Sequence, residues 1–148
     1  MSTPIDGHVR TATAADHLEV RRILDAAMLE PGDVEIRIEE GNVLVAGDDR
    51  GGRGGADADA ERILGTIVLE SGTANDYGGA HVAAIGVRRR HRGRGIGRAL
   101  IQHALEREGR LTARFDEGVR PFYESLEFSI EPVDDRRYRG VVSETGAD

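Results

Sequence analysis

The sequence contains no cysteine and no lysine, and only 4% of its residues are aromatic. Without cysteine, disulfide bonds and thiolate metal sites are excluded. No apolar run approaches the ~18 residues of a membrane-spanning helix, and the segment MSTPIDGHVR lacks the apolar stretch of a signal peptide. We therefore expect a single cytoplasmic domain over residues 1–148, with no membrane partner.

The charge of the chain comes from acidic residues and arginine alone. All 20 basic residues are arginine, and they stand against 27 acidic residues, which gives a formal net charge of −7. This acidic, lysine-free composition resembles that of proteins from salt-loving organisms, in which screening removes self-repulsion. A GC-rich genome that encodes arginine in place of lysine explains the same composition, and the sequence leaves both explanations open.

Positive charge is concentrated in the segment VRRRHRGRGIGRAL, residues 87–100. Six arginines and three glycines fall within residues 88–98, which leaves 14 arginines against 27 acidic residues elsewhere. The run HVAAIGV before this segment is typical of a buried strand, and IGRALIQHALERE has apolar residues at helical spacing. Glycines at a strand-to-helix turn allow backbone N–H groups and the helix dipole to approach a phosphate. The segment therefore predicts a site for an anionic ligand.

Phosphate-binding loops are distinguished by their spacing. A P-loop requires a lysine, which this chain lacks. The G-x-G-x-x-G of a Rossmann fold fails because Arg98 or Leu100 stands where the last glycine belongs. The pattern that remains is R-x-x-G-x-G, formed by Arg92, Gly95 and Gly97.

This pattern, between this strand and this helix, resembles the acetyl-coenzyme A loop of the GCN5-related N-acetyltransferase (GNAT) family, [QR]-x-x-G-x-[GA]. The segment VRPFYESLEF resembles the later family helix that carries a Phe/Leu-Tyr pair. The resemblance implies an α+β fold with a central, mixed, strongly twisted and splayed sheet. About six to seven strands are expected, flanked by three or four helices.

The order of the predicted elements agrees with this fold. GHVRTAT is predicted to form the first strand, and Thr13 to start a helix through a capping box with Asp16. VEIRIEE is predicted to form a short strand or a helical turn, which leaves little room for a second helix before Val43. Residues 48–62 are expected to form a flexible Gly/Asp-rich loop and 143–148 a frayed tail. The residues expected to face inward from the first helix are Leu18, Ile23, Leu24, Ala27 and Met28.

The resemblance also implies where acetyl-coenzyme A, the cosubstrate, binds. Its diphosphate is expected on backbone N–H groups of the glycine loop, and its pantetheine arm along Ile85–Val87, where an N–H group would stabilise the oxyanion. Asp116 stands where many members have an asparagine that contacts this arm. The complete set implied for coenzyme binding is Ile85, Val87, Arg92, Gly93, Arg94, Gly95, Ile96, Gly97, Arg98 and Asp116.

The reaction implied by the resemblance is direct transfer of the acetyl group to a primary amine in a ternary complex. Tyr123 aligns with the tyrosine that protonates the departing thiolate in many members, and the alternative is a core tyrosine. His81 is the candidate general base, and the alternative is a structural histidine. Glu70 and Tyr77 are secondary candidates, and His91 is interpreted as a loop residue or a phosphate neighbour. No metal site is predicted.

Glu127 departs from the family pattern Tyr-x-x-x-Gly-Phe. A glycine usually stands at this position, so the end of the Tyr123 helix is predicted to be strained.

Two other functions remain open at this point. The run RRRHRGRG is compatible with contacts to nucleic-acid phosphates, although the acidic remainder and the few aromatic residues argue against nucleic acid as a partner. A domain that binds the coenzyme without catalysis is the other alternative. The acceptor, a small molecule or a protein, has no readable motif, and the acidic loop from Asp48 to Glu61 suggests steering of a cationic amine. The resemblance is compatible with a homodimer.

Overall fold

The computed structural model describes residues 8–26, 33–48, 62–71, 79–93 and 95–143. The predicted loop and tail fall mainly on residues 49–61 and 144–148, which lie outside these ranges. The described residues form seven strands and four α-helices, which in chain order are β1 His8–Thr11, α1 His17–Ala26, α2 Val34–Glu39, β2 Val43–Asp48, β3 Arg62–Ser71, β4 Ala80–Val87, α3 Ile96–Glu108, β5 Arg110–Asp116, α4 Arg120–Ser125, β6 Ser129–Pro132 and β7 Arg137–Ser143. Short 3-10 turns precede α1, α3 and α4.

The seven strands form one mixed sheet in the order β1-β2-β3-β4-β5-β7-β6. Every pair is antiparallel except β4 and β5, which run parallel. A parallel pair requires a crossover connection, and α3 supplies it. The predicted α+β fold with a mixed sheet of six to seven strands is confirmed.

Helices cover the sheet on both faces. The face that carries α3 has a core formed by Ile96, Leu100 and Ala104 of the helix against residues of β3, β4 and β5. These three positions are four residues apart, which places them on one side of the helix. The other face packs α1 and α2 against β2, β3 and β4. Full burial of each large aliphatic side chain contributes roughly 1.5–3 kcal/mol, so both faces hold the helices firmly.

The start of α1 agrees with the sequence prediction. The Thr13 backbone N–H donates to Asp16 Oδ2 at 2.8 Å, as a capping box requires. Asp16 is buried and also accepts hydrogen bonds from Arg10 at 2.8 and 3.1 Å. Burial opposes ionisation, but these hydrogen bonds outweigh it and hold the pKa of Asp16 below its ordinary value.

Two predictions for the N-terminal region are wrong. Leu18 does not face inward, because it is 60% exposed while Val20, Ile23 and Leu24 carry the buried side of α1. Ala27 and Met28 lie outside the described residues.

The second correction concerns the second helix before Val43, for which little room was expected. The segment VEIRIEE forms this helix, α2, so the helical one of its two predicted alternatives is the one observed. Asp33 caps it by accepting a hydrogen bond from the Ile36 N–H at 3.3 Å. Val34 and Ile38 are buried, whereas Ile36 is 49% exposed. Residues 34, 36 and 38 alternate as in a strand, but only the i, i+4 pair meets the core, so tertiary packing selects the helix.

The sheet splays between β4 and β5. Only Ala80↔Leu111 and His81↔Thr112 pair along the described lengths of these two strands. One step further along β4, Val68 pairs with Ala84 and Leu69 with Val82, so Ala83 is an extra residue that forms a bulge. A bulge increases local twist and bends its strand. The two strands therefore separate beyond His81, and this separation is the opening in which the candidate site lies.

No helix in the described part of the chain combines the length and apolar character needed to cross a membrane.

Candidate active site

The glycine loop occupies the turn from β4 to α3. Gly93 and Gly95 have φ angles of 80° and 88°, in the left-handed region that glycine adopts without steric strain. Gly95 is the N-cap of α3, and its carbonyl accepts from the Ala99 N–H at 3.0 Å. The N–H groups of residues 96–98 precede this first intrahelical bond and therefore lack helical partners. Arg94 lies outside the described residues.

Gly97 packs closely against Phe122. A Cβ atom at this position would lie 3.1 Å from Phe122 Cε1 and 3.2 Å from Phe122 Cζ. The absence of a side chain thus brings the first turn of α3 close to the aromatic residues of α4.

Several arginines of the predicted anion site bind other parts of this chain. Arg88 pairs with Glu19 of α1 and donates to the Ile63 carbonyl at 2.7 Å. Arg92 Nε donates to the Val87 carbonyl at 3.0 Å, and Arg98 Nη2 donates to the Ser125 carbonyl at 3.2 Å. These contacts fix the loop between α1, β4 and α4.

Arg89 and Arg90 are exposed and differ from these three because their guanidinium groups form no hydrogen bond or ion pair with a described residue. They line a cleft of about 850 Å³ between the 88–92 segment, α1 and β3, together with Arg22, Arg92 and Glu19. The predominance of guanidinium groups gives this cleft a positive field, which favours anions.

The edge of β4 presents backbone N–H groups to the opening. The Arg88 N–H donates to the Leu64 carbonyl of β3 at 2.8 Å. Because N–H directions alternate along a strand, the N–H groups of Ile85 and Val87 point away from β3 and toward the gap. Their side chains pack on the α3 side of the sheet.

Tyr123 lies in an aromatic cluster on the α3 face of the sheet. Its ring stacks on Phe115 with centroids 4.3 Å apart and contacts Phe122 and Phe128 edge to face at 5.0 Å each. Its side chain is buried, and its hydroxyl makes no hydrogen bond with a described residue. Burial raises the pKa of Tyr123 to about 12, so the hydroxyl keeps its proton at neutral pH.

His81 lies on the opposite face of the sheet from Tyr123, because its neighbours Ala80 and Val82 point into the α3-side core. Its Nδ1 is 2.8 Å from Thr112 Oγ1 on β5. Burial lowers the pKa of His81, Glu70 opposes this shift and Arg114 adds to it. The imidazole is therefore neutral at pH 7, as a general base requires.

The secondary candidates have separate surroundings. Glu70 lies opposite His81 on β3 and forms an ion pair with Arg37 at 3.1 Å. The Nδ1 atom of His91, in the 3-10 turn before the glycines, is buried and has no hydrogen-bond partner among the described residues. Tyr77 lies outside the described residues. Among the described residues, no group of three or more His, Asp or Glu side chains is arranged to hold a metal ion.

Asp116 lies at the exposed end of β5, on the same face of the sheet as His81. Phe115 points into the α3-side core, so its neighbour Asp116 points away from that core. Its Oδ1 atom is 3.9 Å from Arg137 Nε. The structure thus groups the predicted residues into three parts. These are the glycine loop with the start of α3, the edge of β4, and two proton-transfer candidates, Tyr123 on one face of the sheet and His81 on the other.

Comparison with known proteins identifies the family of this chain. The acetyltransferase (GNAT) domain matches residues 39–130, more than half of the chain. The chain belongs to the GNAT acetyltransferase family. A search of the curated proteins found no match.

Solved structures share the GNAT fold with this chain at low sequence identity. A GNAT acetyltransferase from Bacillus cereus superposes with a TM-score of 0.69 at 15% identity, covering 93% of this chain and 96% of that one. YncA from Salmonella typhimurium, determined with acetyl-CoA, gives 0.68 at 15% identity and 93% coverage of both chains. N-acetylglutamate synthase from Neisseria gonorrhoeae, complexed with coenzyme A and L-arginine, gives 0.71 at 13% identity, covering 95% of this chain and 34% of that protein.

Sequence reasoning missed two features of the candidate site. The bulge at Ala83 and the hydrogen bond between Thr112 and His81 both depend on strand register. The alternation in LTARF predicts which β5 residues share a face, but a single sequence does not specify which β4 residue lies beside them.

Proposed function

We propose that this protein transfers the acetyl group of acetyl-CoA directly to a primary amine in a ternary complex. The observation that carries the proposal is the alignment of three features at one opening: the glycine loop, the free start of α3 and the unpaired edge of β4. The N–H groups of residues 96–98 suit a diphosphate, and the helix dipole adds to their attraction. The exposed arginines of the neighbouring cleft add positive charge.

The edge of β4 suits the extended arm of the cosubstrate. An arm lying along residues 85–87 would accept hydrogen bonds from the N–H groups of Ile85 and Val87 in the manner of an added strand. The same N–H groups would donate to an oxyanion at the thioester carbon.

The two proton transfers are assigned to groups on opposite faces of the sheet. The acceptor nitrogen attacks the thioester carbon, so a C–N bond forms and the C–S bond breaks. His81 takes the proton lost by the amine, directly or through water, and the Tyr123 hydroxyl gives its proton to the thiolate. The base that deprotonates the amine and the acid that protonates the thiolate then lie on different faces of the sheet. No single group needs to perform both proton transfers.

The first experiment measures acetyl-CoA binding by calorimetry at low and molar KCl. Gly95→Glu places a negative charge at the proposed diphosphate site, and we expect its affinity to fall at least tenfold, which corresponds to about 1.4 kcal/mol. Gly109→Glu is a matched control, because Gly109 ends the same helix with φ 82° and, like Gly95, has no atom near its missing Cβ. Equal affinity in both variants, or no binding by the unaltered protein, would contradict the proposed site.

The second experiment separates catalysis from binding. Tyr123→Phe is expected to lower kcat by about 100-fold or more while leaving the acetyl-CoA Kd unchanged. Tyr138→Phe is the control, because its hydroxyl contacts Arg120 at 3.3 Å and has no assigned role. Unchanged turnover in Tyr123→Phe would remove the acid assignment. Coenzyme binding without turnover of any amine would indicate the non-catalytic alternative.

A further inference from the structure

The C-terminal half of the sheet has one face that the described helices leave uncovered. The core beneath α1 and α2 contains residues of β2, β3 and β4 but none of β5, β6 or β7. On those three strands, Phe115, Tyr138 and Ile130 point toward the α3 side. The alternate residues therefore point to the opposite side, where they form what we call the open face. Its charged members are Arg110, Arg114, Asp116, Glu131, Arg137 and Arg139.

Two arginines on the open face stand next to each other. Arg114 on β5 is directly opposite Arg139 on β7. Side chains in such pairs have Cβ atoms about 4.5–5.5 Å apart, and like charges at this distance are destabilising. Both residues are exposed, and neither guanidinium forms a hydrogen bond or ion pair with a described residue. Glu131, the residue opposite Arg139 on β6, forms no ion pair with it.

Several other arginines in the described ranges form ion pairs with carboxylates. Arg137, on the same strand and face as Arg139, forms an ion pair with Asp116. The further ion-paired arginines are Arg10, Arg22, Arg37, Arg88, Arg107 and Arg120. Arg114 and Arg139 differ from other arginines without an ion pair, such as Arg89 and Arg90, because they lie directly opposite each other on neighbouring strands. An external anion between them would relieve their repulsion.

This pair lies beside the proposed reaction centre. Thr112, two residues before Arg114 and on the same face, contacts the His81 ring at 2.8 Å. Two residues along a strand span about 6.6–6.8 Å, which is within reach of an arginine side chain. Arg114 also acts electrostatically on His81. An anionic group bound by Arg114 and Arg139 would thus be separated by only a few covalent bonds from an amine of the same molecule positioned at His81.

From this arrangement we propose that the acceptor is an amine that also carries an anionic group, a carboxylate or a phosphate, held by Arg114 and Arg139. This inference rests on the proposed acetyl transfer and specifies its substrate class. It is opposite in sign to the hypothesis of a cationic amine steered by the acidic loop, whose residues 49–61 lie outside the described ranges. Arginine recognises both anions through paired N–H donors, so the chemistry is shared and the test separates the two sources.

The test compares matched amines in a coenzyme A release assay. L-alanine and L-alaninamide differ in the carboxylate, O-phosphoethanolamine and ethanolamine differ in the phosphate, and spermidine represents cationic acceptors. For the preferred anionic acceptor, Arg114→Gln and Arg139→Gln are each expected to raise KM about 10- to 100-fold with unchanged acetyl-CoA affinity. The neutral partner amine should show no such change. The two amines of each pair also differ in the pKa of the amino group, so a difference in rate between them is not decisive by itself. The decisive result is the change in KM caused by Arg114→Gln or Arg139→Gln.

Arg137→Gln is the matched control, since it removes an arginine from the same face that is already paired with Asp116. Turnover of spermidine or a neutral amine with no effect of Arg114→Gln or Arg139→Gln would overturn the acceptor inference and leave acetyl transfer intact. Absence of acetyl-CoA binding would refute the proposed function itself.

A binding measurement decides the inference independently of turnover. Titration with L-alanine or O-phosphoethanolamine should shift the arginine Nε–H NMR signals of residues 114 and 139 and leave that of Arg137 unchanged. Uniform shifts at all three arginines, or none, would overturn it.

Discussion

Replacing Glu127 with glycine should stabilise the protein. Glu127 has φ 67°, and it is the one non-glycine residue with positive φ among those the structure describes. It occupies the position after the C-cap of α4. The Phe128 N–H donates to the Tyr123 carbonyl at 3.3 Å, and the Glu127 N–H donates to the Glu124 carbonyl at 3.0 Å. This pair of bonds defines a Schellman motif, in which glycine is preferred because it has no Cβ atom.

The expected gain follows from this geometry. The left-handed conformation costs a non-glycine residue roughly 1–2 kcal/mol, and the greater freedom of glycine in the unfolded chain removes about 0.5–1 kcal/mol of that gain. The Glu127 side chain is exposed and forms no hydrogen bond or ion pair with a described residue, so its removal sacrifices no contact. We therefore expect about 1 kcal/mol of added stability, or about 3 °C in Tm for a domain of this size.

Urea unfolding at constant salt measures this prediction, with two controls. Glu127→Ala keeps the strained backbone and should change the unfolding free energy little. Glu106→Gly makes the same side-chain replacement at an exposed site inside α3 and should destabilise by about 1 kcal/mol. A destabilised Glu127→Gly variant, or equal stabilisation by Glu127→Ala, would refute the backbone explanation.

Three further predictions concern Gly79 before β4, the pKa of His81, and the dependence of stability on Asp16 at low pH. Gly79→Ala should destabilise by about 2–5 kcal/mol in urea unfolding, because Gly79 has φ 85° and a Cβ there would lie 2.3 Å from the Arg110 carbonyl oxygen; wild-type stability would refute this geometry. The pKa of His81, followed by NMR, should lie below 6.5 and rise in Arg114→Gln, because a nearby positive charge is removed. Asp16→Asn should cost about 1–2 kcal/mol at pH 7. Because the pKa of Asp16 is lowered on folding, this contribution is present above pH 3.8 and is lost as the pH falls further, so unfolding midpoints of the two proteins should converge in acid.

The sequence predicts the elements whose own pattern decides their structure. The helix at Ile96 and the strand before it follow from apolar spacing and the glycines between them, and the strained turn at Glu127 follows from the missing glycine. These features are local, so the residues that specify them are close in the chain.

The parts that were wrong or missed depend on contacts between distant residues. Segment 34–39 has a spacing compatible with a strand or a helix, and only packing against α1 and the sheet decides between them. Leu18 fits the helical period but faces solvent. The pairing of Arg114 with Arg139 depends on the register of β5 and β7, which no feature of either segment alone specifies.

The splay places two strand edges in the interior of the sheet. β4 and β5 behave as central strands where they begin and as edge strands where they end, so the protein has unpaired peptide groups at its middle as well as at its margins. An extended ligand in this gap would act as an eighth strand that joins two sub-sheets. Binding and folding would then be linked: at a ligand concentration of 100 Kd, the folded state gains about 2.7 kcal/mol. Amide hydrogen exchange at Ile85 and Val87 should slow when the ligand binds, because these N–H groups change from solvent-facing to hydrogen-bonded.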